Sequence, residues 1–421
     1  MEIAFIVRNF PCLSETFILN QITGLIDRGH LVDIYADNPR DDTTVHADIE
    51  RYDLINHTYY FHHGNTFETM PKNMFVRIIK AMALIITNFH KGPMSLLRSL
   101  NIFRFGKEVV TLNLLYKTIV FLNRKSYDVV HCHFGPKGIS GAMLKDIGAI
   151  KGKVVTTFHG GDMTKFIKKN GVDVYEHLFE KGDAFLPISD RWKNELIRLG
   201  CNERKIMVHR MGIDTNKFSL SQRTPKNTGG LQILSVARLI EKKGIQYSIQ
   251  AVARVLREHP NIEYKIAGDG PLRKDLEKLV RGLNIANNVK LCGWKSQEEI
   301  VELMKDADIL LAPSVTGEDG DQEGIPVILM EALSQGLPVI STQHSGIPEL
   351  IQDGESGFLL PERDVDGLVE KLKYLIMHQD IWPQMGQAGR KYVEGNYDIN
   401  RLNDKLIDIY QRVLNNKPTE N

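Results

Sequence analysis

Cysteine is scarce. Only Cys12, Cys132, Cys201 and Cys292 occur in 421 residues, scattered and with no paired spacing. No disulfide framework and no zinc site follows from that pattern; a reducing compartment does. Long apolar runs are also missing, and none approaches the ~20 residues of a bilayer-spanning helix. The opening MEIAFIV has no basic lead and no small-residue cleavage site, so it reads as a buried first strand, not a secretory signal. Neither charge sign dominates: 53 Lys and Arg face 52 Asp and Glu. That balance argues against a general nucleic-acid binder. Neither half has a Gly-x-Gly-x-x-Gly turn after its first strand, which removes the main support for a nicotinamide-dependent oxidoreductase. Together these absences lead us to expect a cytoplasmic chain.

What is present is a repeated unit. A chain of this length is too long for one ordinary core, and 42% apolar residues is a normal globular share. In the first half the short Val- and Ile-rich runs are Ala4–Val7, Leu31–Ala36, Asp128–Phe134, Lys153–His159 and Ala184–Ser189. In the second they are Leu231–Ala237, Glu263–Gly268, Val289–Gly293, Asp308–Ser314 and Leu337–Thr342. Each is bounded by Gly, Pro or Asp and followed by helical periodicity, which predicts parallel sheets with helices on both faces. The polar stretch Ser219–Gly230 is the best linker. The division predicted is residues 1–218, a linker 219–230, a second domain 231–395 and a C-terminal helix 396–421 that returns to the first domain. Two doubly wound domains would place ligands at the carboxyl ends of their strands, in the cleft between them.

One segment stands outside this plan. From Lys72 to Lys125 ten basic residues, Lys72, Arg77, Lys80, Lys91, Arg98, Arg104, Lys107, Lys117, Arg124 and Lys125, are opposed only by Glu108. Met74, Phe75, Ile79, Met82 and Phe103 are among the apolar residues between them. A basic amphipathic surface suits an anionic bilayer face, and ordinary helices with a basic solvent side suit the same pattern.

The most informative stretch is EGIPVILMEALSQGLPVIST, Glu323–Thr342. Gly324 and Pro326 mark a loop entering a helix, with Glu323 just ahead of it and Glu331 inside. Glu331 would lie ~7–8 Å along the axis from Pro326. That separation suits the two ends of a nucleoside diphosphate sugar, one carboxylate near hexose hydroxyls and the other near a ribose diol. Free amides at the helix start can meet the diphosphate between them. Two glutamates on a solvated helix face would read the same way. Arg238 and Lys243, just after the first strand of the second domain, add what a leaving diphosphate needs, charge neutralisation at its oxygens.

These residues resemble the family-4 retaining glycosyltransferases of the GT-B fold. The resemblance covers nearly the whole chain, through His209–Phe218, Ile266–Arg273, Val289–Trp294, Ala307–Ser314, the glutamate motif and Ser345–Pro361, in that order. Phe10–Ile18 and Pro313–Pro326 look most like the branch that builds bacterial exopolysaccharides such as colanic acid. The resemblance implies two Rossmann-like domains facing a deep cleft. It also implies hexosyl transfer with retention, from a nucleotide sugar (UDP favoured) to a glycan or lipid-linked acceptor. Glu323 would contact the donor sugar, with Gly324, Ile325, Pro326 and Val327 beside it. Glu331 would hold the ribose, Arg238 and Lys243 the diphosphate, and the loop at Leu291 and Gly293 the base. His159 would sit near the reacting carbon with Asp162 close by. The first loop, Asn9–Thr16, lacks the paired glycines common in the fold, so Ser14, Glu15 and Thr16 are assigned to the acceptor.

No metal and no cofactor is expected if Arg238 and Lys243 neutralise the diphosphate. The acidic pairs Asp306/Asp308 and Asp319/Asp321 imitate a metal-binding Asp-x-Asp, a short pattern that recurs by chance. A phosphorylase or a nucleotide-sugar epimerase on the same fold, and a non-catalytic nucleotide-sugar sensor, remain the competing readings.

Overall fold

The computed structural model describes residues 1–12, 15–39, 46–62, 69–221, 223 and 230–416. The predicted linker therefore lies largely outside the described residues. In the first half, β1 (Glu2–Asn9), β2 (Leu31–Asn38), β3 (Thr58–Tyr60), β4 (Val129–His133), β5 (Lys153–Phe158) and β6 (Ala184–Pro187) form one sheet in the order β3-β2-β1-β4-β5-β6. In the second, β7 (Gln232–Val236), β8 (Glu263–Ala267), β9 (Val289–Gly293), β10 (Ile309–Ala312), β11 (Val339–Thr342) and β12 (Phe358–Leu360) take the order β12-β11-β10-β7-β8-β9. Every ladder is parallel. Both sheets thus repeat one doubly wound topology, which reverses beside its first strand and opens a crevice there at the carboxyl ends.

The central strands read as unbroken apolar runs because helices cover both of their faces. Ile3, Ala4, Phe5, Ile6 and Val7 of β1 are all buried. The sequence shows five strands in each half; the sixth is a three-residue edge strand, β3 in one sheet and β12 in the other. Three residues are too few to display any periodicity.

The last helix, Ile399–Leu414, belongs to the first sheet's core although it ends the chain. It starts where the Asp398 carboxylate accepts from the Asn400 and Arg401 amides, and the Thr215 hydroxyl donates to the same carboxylate at 2.8 Å. Leu406, Ile409, Tyr410 and Val413 then join Ile3, Phe5, Ile22 and Ile34 in one apolar cluster. At roughly 1.5–3 kcal/mol per fully buried side chain, that seam is a strong tie between the chain's end and its first domain.

Between β3 and β4 the basic segment folds as a helical layer, including Met74–Asn88, Pro93–Arg98 and Asn113–Leu122. Leu84, Leu96, Leu115 and Ile119 make its small core. Lys117, counted with the basic surface in the sequence, is buried instead and donates to the Ser140 hydroxyl at 3.1 Å. No described helix is long and apolar enough to cross a membrane.

Candidate active site

On the first domain the site begins where β5 ends. His159, Gly160, Gly161 and Asp162 turn along the carboxyl edge of the sheet, and the Asp162 side chain makes that turn. It accepts from the backbone N–H of His159 at 3.0 Å, Gly160 at 2.8 Å and Gly135 at 2.9 Å. Burial raises the pKa of its carboxyl despite these three donors. Asp162 therefore acts on the cleft through the residues it positions, tying the loop after β4 to the loop after β5.

His159 is the chief of those residues. Its ring lies between Phe17 and Phe134, with centroid separations of 4.9 and 4.3 Å. Its Nε2 is 3.1 Å from His133 Nδ1, so one imidazole donates to the other. Burial pushes the His159 pKa down to about 3, which keeps it a neutral polar group, not a cation. Behind it, His133 stacks on His131 at 4.5 Å, and His131 bonds the Tyr410 hydroxyl at 2.6 Å and the Thr157 hydroxyl at 2.7 Å. The returning helix thus braces the histidine stack. Sequence reasoning missed His133. The signal was there: His131 and His133 alternate on β4, so both face one side, beside Thr157 of the neighbouring strand and His159 just past its end.

Glu15 and Thr16 stand at the start of the helix Thr16–Asp27, directly before Phe17, which packs on His159. Ser14 lies outside the described residues.

On the second domain, Glu323 is buried and held at several points. Its N–H donates to His344 Nε2 at 3.0 Å, and its carbonyl accepts from the Ser345 hydroxyl at 2.6 Å. His344 Nδ1 is 2.6 Å from the Glu362 carboxylate, which also accepts from the Thr316 amide at 2.7 Å. The Glu323 side chain meets Lys243 Nζ at 3.1 Å and Lys242 Nζ at 3.7 Å. Burial pushes its pKa upward, but Lys243 and then Lys242 outweigh that and leave it below the ordinary value. Lys243, assigned from the sequence to the diphosphate, here pairs with Glu323; Lys242, Gln297, His344 and Glu362 were not singled out in the sequence. Arg238, at the carboxyl end of β7, is exposed and forms no ion pair among the described residues.

Glu331 sits inside the helix Val327–Ser334, buried, and accepts from Gln297 Nε2 at 2.9 Å. Burial raises its pKa to about 7 against that single hydrogen bond. Pro326 precedes the helix, and no side-chain bond caps its first turn; the Leu329 amide donates to the Pro326 carbonyl at 3.1 Å, which leaves the amides of Val327 and Ile328 for a ligand. Ile325, just ahead of the helix, is buried. Leu291 lies within β9 and Gly293 ends it, six and four residues before Gln297, whose side chain bonds Glu331.

The two halves meet at the motif. Gly324 presses on the His159 carbonyl so closely that an added Cβ would lie 2.2 Å from that oxygen. Gly160 faces Glu323, where a Cβ would lie 2.9 Å from the Glu323 carbonyl oxygen. At the margin, Lys165 pairs with Asp319, and the Glu349 carboxylate accepts from the amides of Asp190 and Arg191 at 2.9 Å each. Lys242 pairs with Asp321 at 3.1 Å, so both acids of that Asp-x-Asp pattern have a lysine partner. Among the described residues no group of three or more His, Cys, Asp or Glu is arranged to hold a metal.

Comparison with known proteins agrees with this architecture. Residues 14–217 match the model of Glycosyltransferase Family 4, and residues 216–392 match that of Glycosyl transferases group 1. The amylovoran biosynthesis glycosyltransferase AmsK of Erwinia amylovora is 38% identical, over 98% of this chain and all of its own. A Salmonella typhimurium protein described as a colanic acid biosynthesis glycosyltransferase, WcaL, is 35% identical over the same shares. Among solved structures, a Rickettsia africae glycosyltransferase matches with a TM-score of 0.70 at 19% identity, covering 99% of both chains. Anabaena HepE in complex with UDP-glucose matches with a TM-score of 0.71 at 16% identity, covering 98% of this chain and 99% of its own. With both halves matched and relatives at 35–38% identity along its length, the chain belongs to the family 4 glycosyltransferases, among those of exopolysaccharide biosynthesis.

Proposed function

We propose that this glycosyltransferase moves a hexose from UDP-sugar to a lipid-linked or glycan acceptor at an anionic membrane surface, with retention and without a metal ion. The observation that carries the reading is the pair of buried carboxylates, Glu323 and Glu331, either side of an uncapped helix start, with Lys243 against the first. A buried carboxylate is costly unless something uses its charge. Glu323 receives the sugar hydroxyls and Glu331 the ribose diol. The open amides, Arg238 and Lys243 receive the diphosphate, and Leu291 and Gly293 border the base. UDP is favoured because the fold relative HepE binds it.

The acceptor hydroxyl, entering past Glu15 and Thr16, approaches the anomeric carbon on the face the diphosphate leaves. The bond from that carbon to the phosphate oxygen breaks as the bond to the acceptor oxygen forms. The acceptor proton passes to the departing phosphate. Neutral His159 orients the sugar, and the enzyme's contribution is positioning and charge stabilisation. Because lysine and arginine supply the counter-charge, transfer should survive EDTA within about twofold, a barrier change of under ~0.5 kcal/mol. Activity abolished by EDTA and restored by manganese would defeat the metal-free reading.

Glu331 makes a pH test possible. Its raised pKa, about 7, means that the free protein holds a proton there at mildly acidic pH. Hydroxyls donating from the ribose favour the charged form, so UDP binding expels that proton. Affinity should therefore rise with pH up to about 7 and level off above it. The phosphate titrates in the same range, so the readout is the difference between wild type and Glu331→Gln by calorimetry at pH 5.5 and 8. Identical pH slopes would show that Glu331 does not meet the nucleotide.

A further inference from the structure

The helical layer between β3 and β4 carries an apolar face that nothing in the described chain covers. On the helix Met74–Asn88, Phe75, Ile79, Met82 and Ile86 are 81%, 65%, 53% and 76% exposed. At ~100° per residue these four fall within about 60° of one another, a seam some 16 Å long. The opposite side of the same helix, Ala81 and Leu84, is buried in the layer's core. Beyond it Met94 is 57% exposed and Phe103 wholly so. A soluble surface seldom leaves so many large apolar side chains clustered.

The charge around the seam selects its occupant. Lys72, Lys91, Arg98 and Lys107 are exposed and pair with no acidic side chain among the described residues. Glu108 is the one acid between Lys72 and Lys125, and it is engaged by Asn113. Exposed apolar residues interspersed along one segment with cations that form no ion pair are the signature of a helix lying in the interface of an anionic bilayer. The position is also apt. The helix begins four residues after Met70, whose amide bonds the carbonyl of Phe61 just past the end of β3, at the same carboxyl edge of the parallel sheet as His159. We infer that this seam inserts into an anionic lipid surface and holds the acceptor side of the cleft against it. The inference deepens the membrane part of the function proposed above, and binding can be measured without catalysis.

The test is co-sedimentation of the full chain with vesicles of phosphatidylcholine alone or mixed with phosphatidylglycerol. Wild type should sediment only with the mixed vesicles, and less in high salt. Phe75→Ser with Ile79→Ser should weaken that binding by roughly a hundredfold, because two large apolar groups no longer leave water. Lys72→Ser with Arg98→Ser should weaken it by roughly twentyfold. UDP affinity should be unchanged in both variants, which also reports that they are folded. Equal binding to neutral vesicles, no binding at all, or variants that bind as wild type does would overturn the inference. So would a lipid-free dimer that the Phe75/Ile79 variant abolishes, since the occupant would then be a second copy. Vesicle binding without any UDP binding would leave the docking surface standing and remove the donor assignment.

Discussion

Glu323→Gln should lower donor-saturated turnover by roughly ten- to a hundredfold while leaving UDP affinity within about twofold. The carboxylate is buried, fixed through His344 and Ser345, and charged because Lys243 and Lys242 outweigh its desolvation. Glutamine keeps the size and still accepts hydrogen bonds, so only the charge is lost. A hydrogen bond to a charged group is worth about 1.5–3 kcal/mol, which sets the size of the effect. UDP lacks the sugar that Glu323 would hold, so its binding serves as the internal control. Glu331→Ala should show the converse, with UDP affinity falling roughly ten- to a hundredfold. Calorimetry with UDP beside initial rates at saturating donor measures both. If the two variants lose nucleotide binding equally, the division between sugar and ribose is wrong. If neither loses anything, the glutamates serve packing alone.

The sequence makes most of this architecture legible because parallel strands buried on both faces leave long Val- and Ile-rich runs. Ala4–Val7 and Lys153–His159 could be recognised without any neighbour. β3 and β12 could not, since each is three residues at a sheet edge and owes its form to the strand beside it. The site divides in the same way. Glu323, Glu331 and Lys243 sit in local patterns of glycine, proline and charge, and they were legible. Lys242 was not, because adjacent lysines differ only in where a short 3-10 turn aims them. His344 and Glu362 support Glu323 from the loops after β11 and β12, at a distance in sequence where no spacing rule operates. Asp162 shows a further limit. A carboxylate after His-Gly-Gly invites a ligand-binding reading, yet the structure commits its oxygens to three backbone amides. Burial of Lys117 is a similar case, for periodicity gives the basic residues of a segment but not which of them faces a second helix.

Gly324→Ala should cost about a hundredfold in turnover and leave both domains folded. The substitution adds one methyl group, and the backbone at Gly324 does not require a glycine φ. The difficulty is space: the new Cβ would lie 2.2 Å from the His159 carbonyl oxygen and 2.5 Å from Ile188 Cδ1. The isoleucine can turn aside; the carbonyl is backbone, fixed through Asp162, and cannot. Relief must come from moving the two halves apart at the place where donor and acceptor are to meet. A displacement of about 1 Å at a reacting centre is worth about a hundredfold in rate. The donor groups Glu331, Lys243 and Arg238 all belong to the second domain, so UDP affinity should change by less than about threefold, under ~0.7 kcal/mol. Gly282→Ala, where an added Cβ meets nothing within 4 Å, is the matched control and should retain full activity. The measurements are turnover, UDP calorimetry and thermal unfolding of the three proteins. Full turnover in Gly324→Ala would mean that the close approach of His159 and Gly324 is not the arrangement in which transfer occurs. Loss of UDP binding alongside turnover would place the damage in the donor site itself, and the spacing argument would fail.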